Sequence, residues 1–558
     1  MASFGSVRNS ILLSAAIIKG FLINAGIVFF SRFNIMLHHL PFYLLLIVFI
    51  MLLVMLAKRI NVAYPIILVL GGLAISLIPA MPVVEINHEL IFFVFLPPLL
   101  YEAAWQTSWK EFWRFRRIIS SFAFLIVILT SLVVAWVASS FIPGFSLALG
   151  FLLGGIVSPP DAVSASAIMK SVKVPKALEA IIEGESLLND ASSLIVFRFA
   201  LVAVETGSFV FRDAAFSFFW VILAGIAIGL AVGFLFYLLH RWLPTDVNID
   251  LVFTLVAPYA MYLAAESLHV SGVLAVVSGG LFLSTHQHRI MNSSSRLRVT
   301  SVWSALGFVL NGLVFMLIGL ALPSIANGLG DVSMNEAIGY GVLITGVLIV
   351  GRLLSAYGAI GFTLFISRYI RTAGAPRNWK APFIFGWSGM RGVVSLAAAL
   401  SIPAVLTGTT IPFPQRNLIL FITFIVILLT LIVQGLTMPW FIKVLRLEDP
   451  DHHPAYEEER KMISQRLASN SLSYMREHYA DELTAQPALQ KISQIWESKK
   501  EFTGNEQLNV VCRNVYLEVI NKQRDWLHEW NKDLKTNEEI IRGQLMQLDL
   551  EEEKLKLS

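Results

Sequence analysis

Residues 154–161 read Gly154-Gly155-Ile156-Val157-Ser158-Pro159-Pro160-Asp161, inside an apolar run, 146–169, that is otherwise long enough to cross a bilayer. Tandem prolines delete two backbone donors and clash with the preceding turn, so a regular helix cannot run through them. A second apolar run, 379–405, is interrupted by Gly386-Trp387-Ser388-Gly389-Met390-Arg391-Gly392, glycine-rich with an arginine inside. Unwound backbone at membrane depth is tolerated only where it is buried in protein or lines a watery cavity. Interrupted segments at matching places in two halves of a chain point to an inverted-repeat transporter with its site between the breaks. The alternative is that these prolines and glycines merely kink packed helices.

Counting outward decides whether the places match. Fourteen segments of spanning length lie near 11–31, 42–58, 63–80, 87–104, 118–142, 146–169, 177–204, 214–243, 249–267, 271–286, 301–324, 336–366, 379–405 and 417–446. The first resembles a signal peptide in having Arg8 before an apolar run, but Phe29, Phe30 and Phe33 make a poor cleavage site, and it is read as a retained helix. With that helix set aside, each break falls in the fifth member of a six-span set, and one linker span joins the sets. Loop charge supports the count. With the C-terminus inside, the inner loops carry Lys58, Arg59, Lys110, Arg114, Arg116, Arg117, Lys170, Lys173, Lys176, Arg241, Arg289, Arg296, Arg298, Arg368, Arg371, Arg377 and Lys380. The outer loops carry only Arg32, Arg212 and Arg416. That asymmetry is the positive-inside pattern and places both termini in the cytoplasm.

Composition agrees. The chain is 56% hydrophobic and 14% charged, against about 25% charged in soluble domains. Residues 1–447 hold 27 Lys/Arg and 16 Asp/Glu, whereas 448–558 hold 15 and 22. The chain therefore divides into an N-terminal extra helix and loop (1–41), a membrane domain (42–447) and an acidic helical tail (448–558). The basic residues cluster beside spans and give no sign of nucleic-acid binding. The lone Cys512 rules out an intrachain disulfide or a multi-cysteine zinc site.

An ionisable residue at the centre of a span costs about 2.5–3.5 kcal/mol and marks function by default. Span 177–204 has its midpoint near Asp190. Ser186, Asn189 and Asp190 lie at i, i+3 and i+4 and share a face, with Glu185 beside them. Hard cations want oxygen ligands, and Asp190, the Ser186 hydroxyl and a carbonyl freed near Pro159 or Pro160 would supply them. A carboxylate held from water is stabilised by either a proton or a cation, and competition between the two couples their fluxes. Asp161 is either part of this site or the N-cap of a half-helix starting after Pro160. Glu102 is either a further ligand or an interfacial carboxylate. Glu185 and Arg391 are expected to form a structural ion pair, with Arg198 and Arg352 left without assigned partners.

The run Glu183-Gly184-Glu185-Ser186-Leu187-Leu188-Asn189-Asp190-Ala191 resembles the signature of the monovalent cation/proton antiporter-1 family, which holds bacterial NhaP-type antiporters and animal sodium/proton exchangers. Phe95-Leu96-Pro97-Pro98-Leu99-Leu100-Tyr101-Glu102, Ser158-Pro159-Pro160-Asp161-Ala162-Val163, Ser271-Gly272-Val273-Leu274-Ala275, Leu310-Asn311-Gly312, Trp387-Ser388-Gly389-Met390-Arg391-Gly392 and Gln434-Gly435-Leu436-Thr437 resemble its other motifs, in order, over 42–447. The resemblance implies an all-α membrane protein of about 13–14 spans with two crossed broken helices, working as a homodimer in the cell membrane by an elevator-like motion. It implies exchange of sodium, lithium or potassium for protons, with no cofactor. Asp190 would carry proton or cation, with Ser186, Glu102 and backbone beside Asp161 completing the shell and Glu185, Asn189 and Arg391 bracing it. Asn189 resembles the electroneutral branch, where the electrogenic branch has a second Asp. Pro160 departs from relatives that have a hydroxyl residue there and leaves only its carbonyl as a ligand.

Other classes fit less well. An intramembrane aspartyl protease would use Asp161 and Asp190 as a proton-sharing pair, but the chain lacks the Gly-x-Gly-Asp arrangement. A channel with a sensor tail does not need broken crossing helices, and an organic-anion symporter has no use for a midplane acid. The tail reads as helices near Glu457–Tyr479 and Leu508–Asp533, anchored by Trp496, Trp526 and Trp530, either plainly solvated or making regulatory contacts.

Overall fold

The computed structural model describes residues 44–60, 62–78, 91–169, 174–207, 211–330, 332–366, 379–406 and 409–446, and in the tail 455–481, 510–530 and scattered positions from 487 to 552. The expected helix at 11–31, and all of 1–41, lie outside the described residues.

Runs of about twenty apolar residues become helices because lipid offers the backbone no other hydrogen-bond partner. In order they are α1 (44–59), α2 (Tyr64–Ser76), α3 (Leu96–Gln106, entered through a π-wound turn at Ile91–Phe95), α4 (Trp109–Phe141), α5 (Leu147–Val157), α6 (Ala162–Met169) and α7 (Lys176–Thr206). The linker α8 (Phe211–Trp242) follows. Then come α9 (Val247–Ser267), α10 (Gly272–Ile290), α11 (Ser293–Asn327), α12 (Met334–Ile366), α13 (Lys380–Trp387), α14 (Val393–Leu400) and α15 (Arg416–Leu445). The order is six passages, a linker and six passages, with α5/α6 and α13/α14 as the broken fifth passage of each set. Among the described residues, eight stretches are long and apolar enough to cross a membrane unaided.

The two sets pack in inverted correspondence. The second passage of the first set, α2, lies on the third of the second set, α11, and the third of the first set, α3, lies on the second of the other, α10. The fourth passages, α4 and α12, meet each other, and α5 meets α14. Small residues let backbones approach where no hydrophobic drive separates helix from lipid. At the α2–α11 crossing, a Cβ on Gly72 would stand 2.3 Å from the Met316 carbonyl oxygen, and one on Gly319 would stand 2.2 Å from that of Val69. Only glycine permits this contact from either side. Outward faces carry exposed Leu132 and Trp136 on α4, Leu223 and Phe234 on α8 and Leu354 on α12, as lipid-facing surface requires.

The helices overrun the apolar segments. The fifth span, expected from 118, begins at Trp109, so Lys110, Arg114, Arg116 and Arg117 ride on helix rather than on a loop. Arg241 and Arg289 likewise fall in last turns, of α8 and α10, and Arg296 in the start of α11. Charge ends a hydropathy window, but the i to i−4 hydrogen bond is indifferent to it.

The chain divides into two compact units, with the boundary between Asp451 and His452. The second contains helices α16 (Ala455–His478) and α17 (Val510–Trp530), within a few residues of the expected limits. Its described buried residues include Ala468, Leu472, Ile520 and Leu527. Trp496 and the side chains of Trp526 and Trp530 lie outside the described residues.

Candidate functional site

The first break begins where Pro159 and Pro160 withhold their N–H groups, and α5 stops at Val157. Asp161 starts the next half-helix. Its Oδ1 accepts from the Val163 amide at 3.0 Å, and its Oδ2 accepts from the Ser164 hydroxyl at 2.6 Å and the Ser164 amide at 3.4 Å. The capping alternative for Asp161 is thus realised, and its charge faces the positive end of α6. The second break runs from Ser388 to Gly392. The two breaks touch. The Asp161 amide donates to the Met390 carbonyl at 2.7 Å, and a Cβ on Gly392 would stand 2.2 Å from Asp161 Oδ2.

Helix α7 lies against this crossing. The Ala162 amide donates to Ser186 Oγ at 3.1 Å, Ser186 Oγ is 3.5 Å from the Pro160 carbonyl oxygen, and Asn189 Nδ2 donates to that oxygen at 3.2 Å. The geometry therefore gathers Asp161, Pro160, Ser186, Asn189 and Asp190. Asn189 is fully buried and Asp190 nearly so. No described residue donates a hydrogen bond to the Asp190 carboxylate, while the carboxylates of Asp161 and Asp190 lie within electrostatic reach of each other. The result is an oxygen-rich niche whose mid-helix acid has no hydrogen-bond donor among the described residues.

The expected Glu185–Arg391 pair is not formed. Glu185 takes the two terminal guanidinium nitrogens of Arg352, each at 2.7 Å, in a bidentate pair that is almost wholly buried. The Arg352 guanidinium also sits 5.0 Å from the centroid of the Phe385 ring. Arg391 instead donates to backbone: Nε to the Val157 carbonyl at 2.9 Å, Nη2 to that of Ser158 at 3.4 Å, and Nη1 to that of Gly389. Val157 and Ser158 are the open carbonyl end of α5, a site of partial negative charge. Matching charges in sequence overlooked this partner, because a broken helix supplies acceptors that no side chain announces. Each charged group at the crossing except Asp190 thus has its complement: Asp161 a helix start, Arg391 a helix end, Glu185 an arginine. Arg198, unassigned from sequence, pairs with Glu266 at 2.8 and 2.9 Å.

Glu102 lies on α3 and faces α11. Its carboxylate accepts from Gln106 Nε2 at 2.7 Å and packs on α11, where a Cβ on Gly307 would meet Oε2 at 2.3 Å. Among the described residues, no three His, Cys, Asp or Glu side chains gather as metal ligands, so Asp161, Asp190 and Glu102 do not form one cluster. Tyr64, at the start of α2, lies within electrostatic reach of both Asp161 and Glu102. Sequence reading missed it, and Tyr64-Pro65 carries no signal beyond a helix start. Thr430, in a π-wound turn of α15, was missed as well; its hydroxyl accepts the Arg391 amide at 3.1 Å.

The sodium/hydrogen exchanger transmembrane family model matches residues 44–444. The chain is 35% identical over 386 residues to a sodium, potassium, lithium and rubidium/proton antiporter of Bacillus pumilus; the match covers 67% of this chain and 57% of that one. It is 30% identical over 517 residues to the uncharacterized sodium/proton exchanger Rv2287 of Mycobacterium tuberculosis, covering 90% and 93%. The solved structure of the sodium proton antiporter MjNhaP1 from Methanocaldococcus jannaschii superposes with a TM-score of 0.57 at 18% identity, covering 74% of this chain and all of that one. That likeness bears on fold: the inverted-repeat antiporter architecture.

Proposed function

This chain belongs to the sodium/hydrogen exchanger family, and from that premise we propose that it exchanges a monovalent cation, sodium foremost and lithium or potassium as alternatives, for protons across the cell membrane. It is a multi-spanning membrane protein of a transporter family. Asp190 carries the exchange. Supporting this is one observation: a nearly buried carboxylate near the middle of α7, free of described hydrogen-bond donors, beside the Ser186 hydroxyl and the Pro160 carbonyl. Ser186 and Pro160 complete a sodium shell with Asp190, and Asp161 contributes through its charge. Glu102 serves the approach to the site rather than its centre. Asn189 braces the Pro160 carbonyl, Arg391 holds the first break, and Glu185 fixes α7 to α12.

The charge inventory argues for one proton per cation. Among the described charged groups at the crossing, Asp190 alone lacks a compensating group, so the niche takes one positive charge at a time, and either ion satisfies it. Alternating exposure of that one group couples the two fluxes. The protease reading loses its second acid, since Asp161 is committed to capping α6. The chain acts as a homodimer with both termini in the cytoplasm, and the acidic tail is available for regulatory contact. In proteoliposomes, sodium added to one side should dissipate an imposed pH gradient, and Asp190→Asn should abolish this. Exchange persisting in that variant refutes the assignment.

A further inference from the structure

Helix α4 is longer than its task. Its 33 residues extend about 50 Å at 1.5 Å per residue, against a hydrocarbon core of about 30 Å. The excess is its first three turns, where Trp109, Trp113 and the side chains of Lys110, Arg114, Arg116 and Arg117 are exposed. Lys110, Trp113, Arg114 and Arg117 fall at i, i+3, i+4 and i+7 and share one face. The Trp109 and Trp113 rings stack at 5.5 Å, and the Arg116 guanidinium lies 4.7 Å over the Trp113 ring. Glu111 is the single acid of the segment, 3.6 Å from Arg114. This surface continues directly into exposed Leu125, Leu129 and Leu132 on the same helix.

We propose that this face binds the headgroups of anionic phospholipids. Cations interleaved with indoles, at the edge of a lipid-facing apolar helix, match an anionic headgroup layer in charge and an interfacial layer in shape. The opposite face gives such binding a route to the transport helix. Phe112 and Ile119 are buried against α7, where a Cβ on Gly184 would stand 3.2 Å from Phe112 Cδ2 and 2.6 Å from Ile119 Cδ1. Gly184 directly precedes Glu185 and Ser186, so a headgroup clamp on α4 restrains the first turns of the helix that carries Asp190.

Binding of dioleoylphosphatidylglycerol, dioleoylphosphatidylcholine and inorganic phosphate to the full chain in neutral detergent, read by native mass spectrometry, tests this without reference to the transported ion. A cation near an anionic lipid surface contributes roughly fivefold, so the combined variant Lys110→Gln, Arg114→Gln, Arg117→Gln should bind phosphatidylglycerol on the order of a hundredfold more weakly. Phosphatidylcholine binding should not change. A control variant, Lys58→Gln with Arg59→Gln, removes another exposed basic pair at a helix end and should bind like the wild type. Phosphatidylglycerol bound equally by the triple variant, lost equally by the control, or displaced by inorganic phosphate overturns the proposal. In vesicles, adding phosphatidylglycerol to phosphatidylcholine should alter the exchange rate of the wild type and leave that of the triple variant unmoved; equal responses refute the coupling to α7.

Discussion

Gly392→Ala tests the crossing of the two breaks. The added Cβ would stand 2.2, 2.6 and 3.0 Å from Oδ2, Cγ and Cβ of Asp161. Ordinary contact begins near 3.4 Å, so something must give by about 1 Å. Asp161 is short and cannot swing aside, because its carboxylate caps α6 and its amide is held by Met390. The breaks themselves must therefore separate. A displacement of about 1 Å at a site that positions reacting groups costs on the order of a hundredfold in rate, while overpacking costs about 1–3 kcal/mol in stability. The expected variant folds, with a lowered Tm, and retains roughly one per cent of sodium-driven proton flux in proteoliposomes. Gly346→Ala on α12, where nothing lies within 4 Å, is the matched control and should keep full activity, with a small gain from helix propensity. A Gly392→Ala protein exchanging at the wild-type rate refutes the claim that the contact sets the site.

Other expectations follow from the same geometry. Glu185→Gln or Arg352→Gln alone strands a buried charge and should cost about 3–5 kcal/mol, whereas the double variant should recover much of that; thermal unfolding of all four proteins measures the coupling, and strictly additive losses refute it. Asn189→Asp adds a second carboxylate beside Asp190, at the expense of the bond to Pro160, and should make exchange respond to a valinomycin-set membrane potential; a potential-insensitive variant contradicts the charge inventory. If proton and cation share one group, the apparent KM for sodium should rise about tenfold per unit of falling pH where protons fill the site. A KM flat across pH removes the shared carrier.

The breaks were legible because proline chemistry is local: Pro159 and Pro160 lack donors wherever they are placed. The place of Asp190 near the middle of α7 was legible because span length is set by bilayer thickness rather than by tertiary contacts. The grouping of Ser186, Asn189 and Asp190 followed from helical periodicity. What failed was partner choice. Glu185 had two interior arginines to choose from, and distance in space, not type, selected Arg352 over Arg391. Arg391 found carbonyls, which every residue carries and no sequence pattern marks. Helix starts such as Trp109 were missed because polarity reports where lipid ends, not where hydrogen bonding does.

The Glu185–Arg352 pair also has a history within each molecule. Its partners are 167 positions apart in the chain. At about 5–20 residues per second, Arg352 leaves the ribosome roughly 8–33 s after Glu185. Through that interval α7 has its glutamate without the arginine it will need at membrane depth. Helix α7 therefore cannot make this pairing as it is made; it waits for α12. A chain truncated before Arg352 should be cleared by quality-control proteolysis even though all of α6 and α7 has already been synthesised.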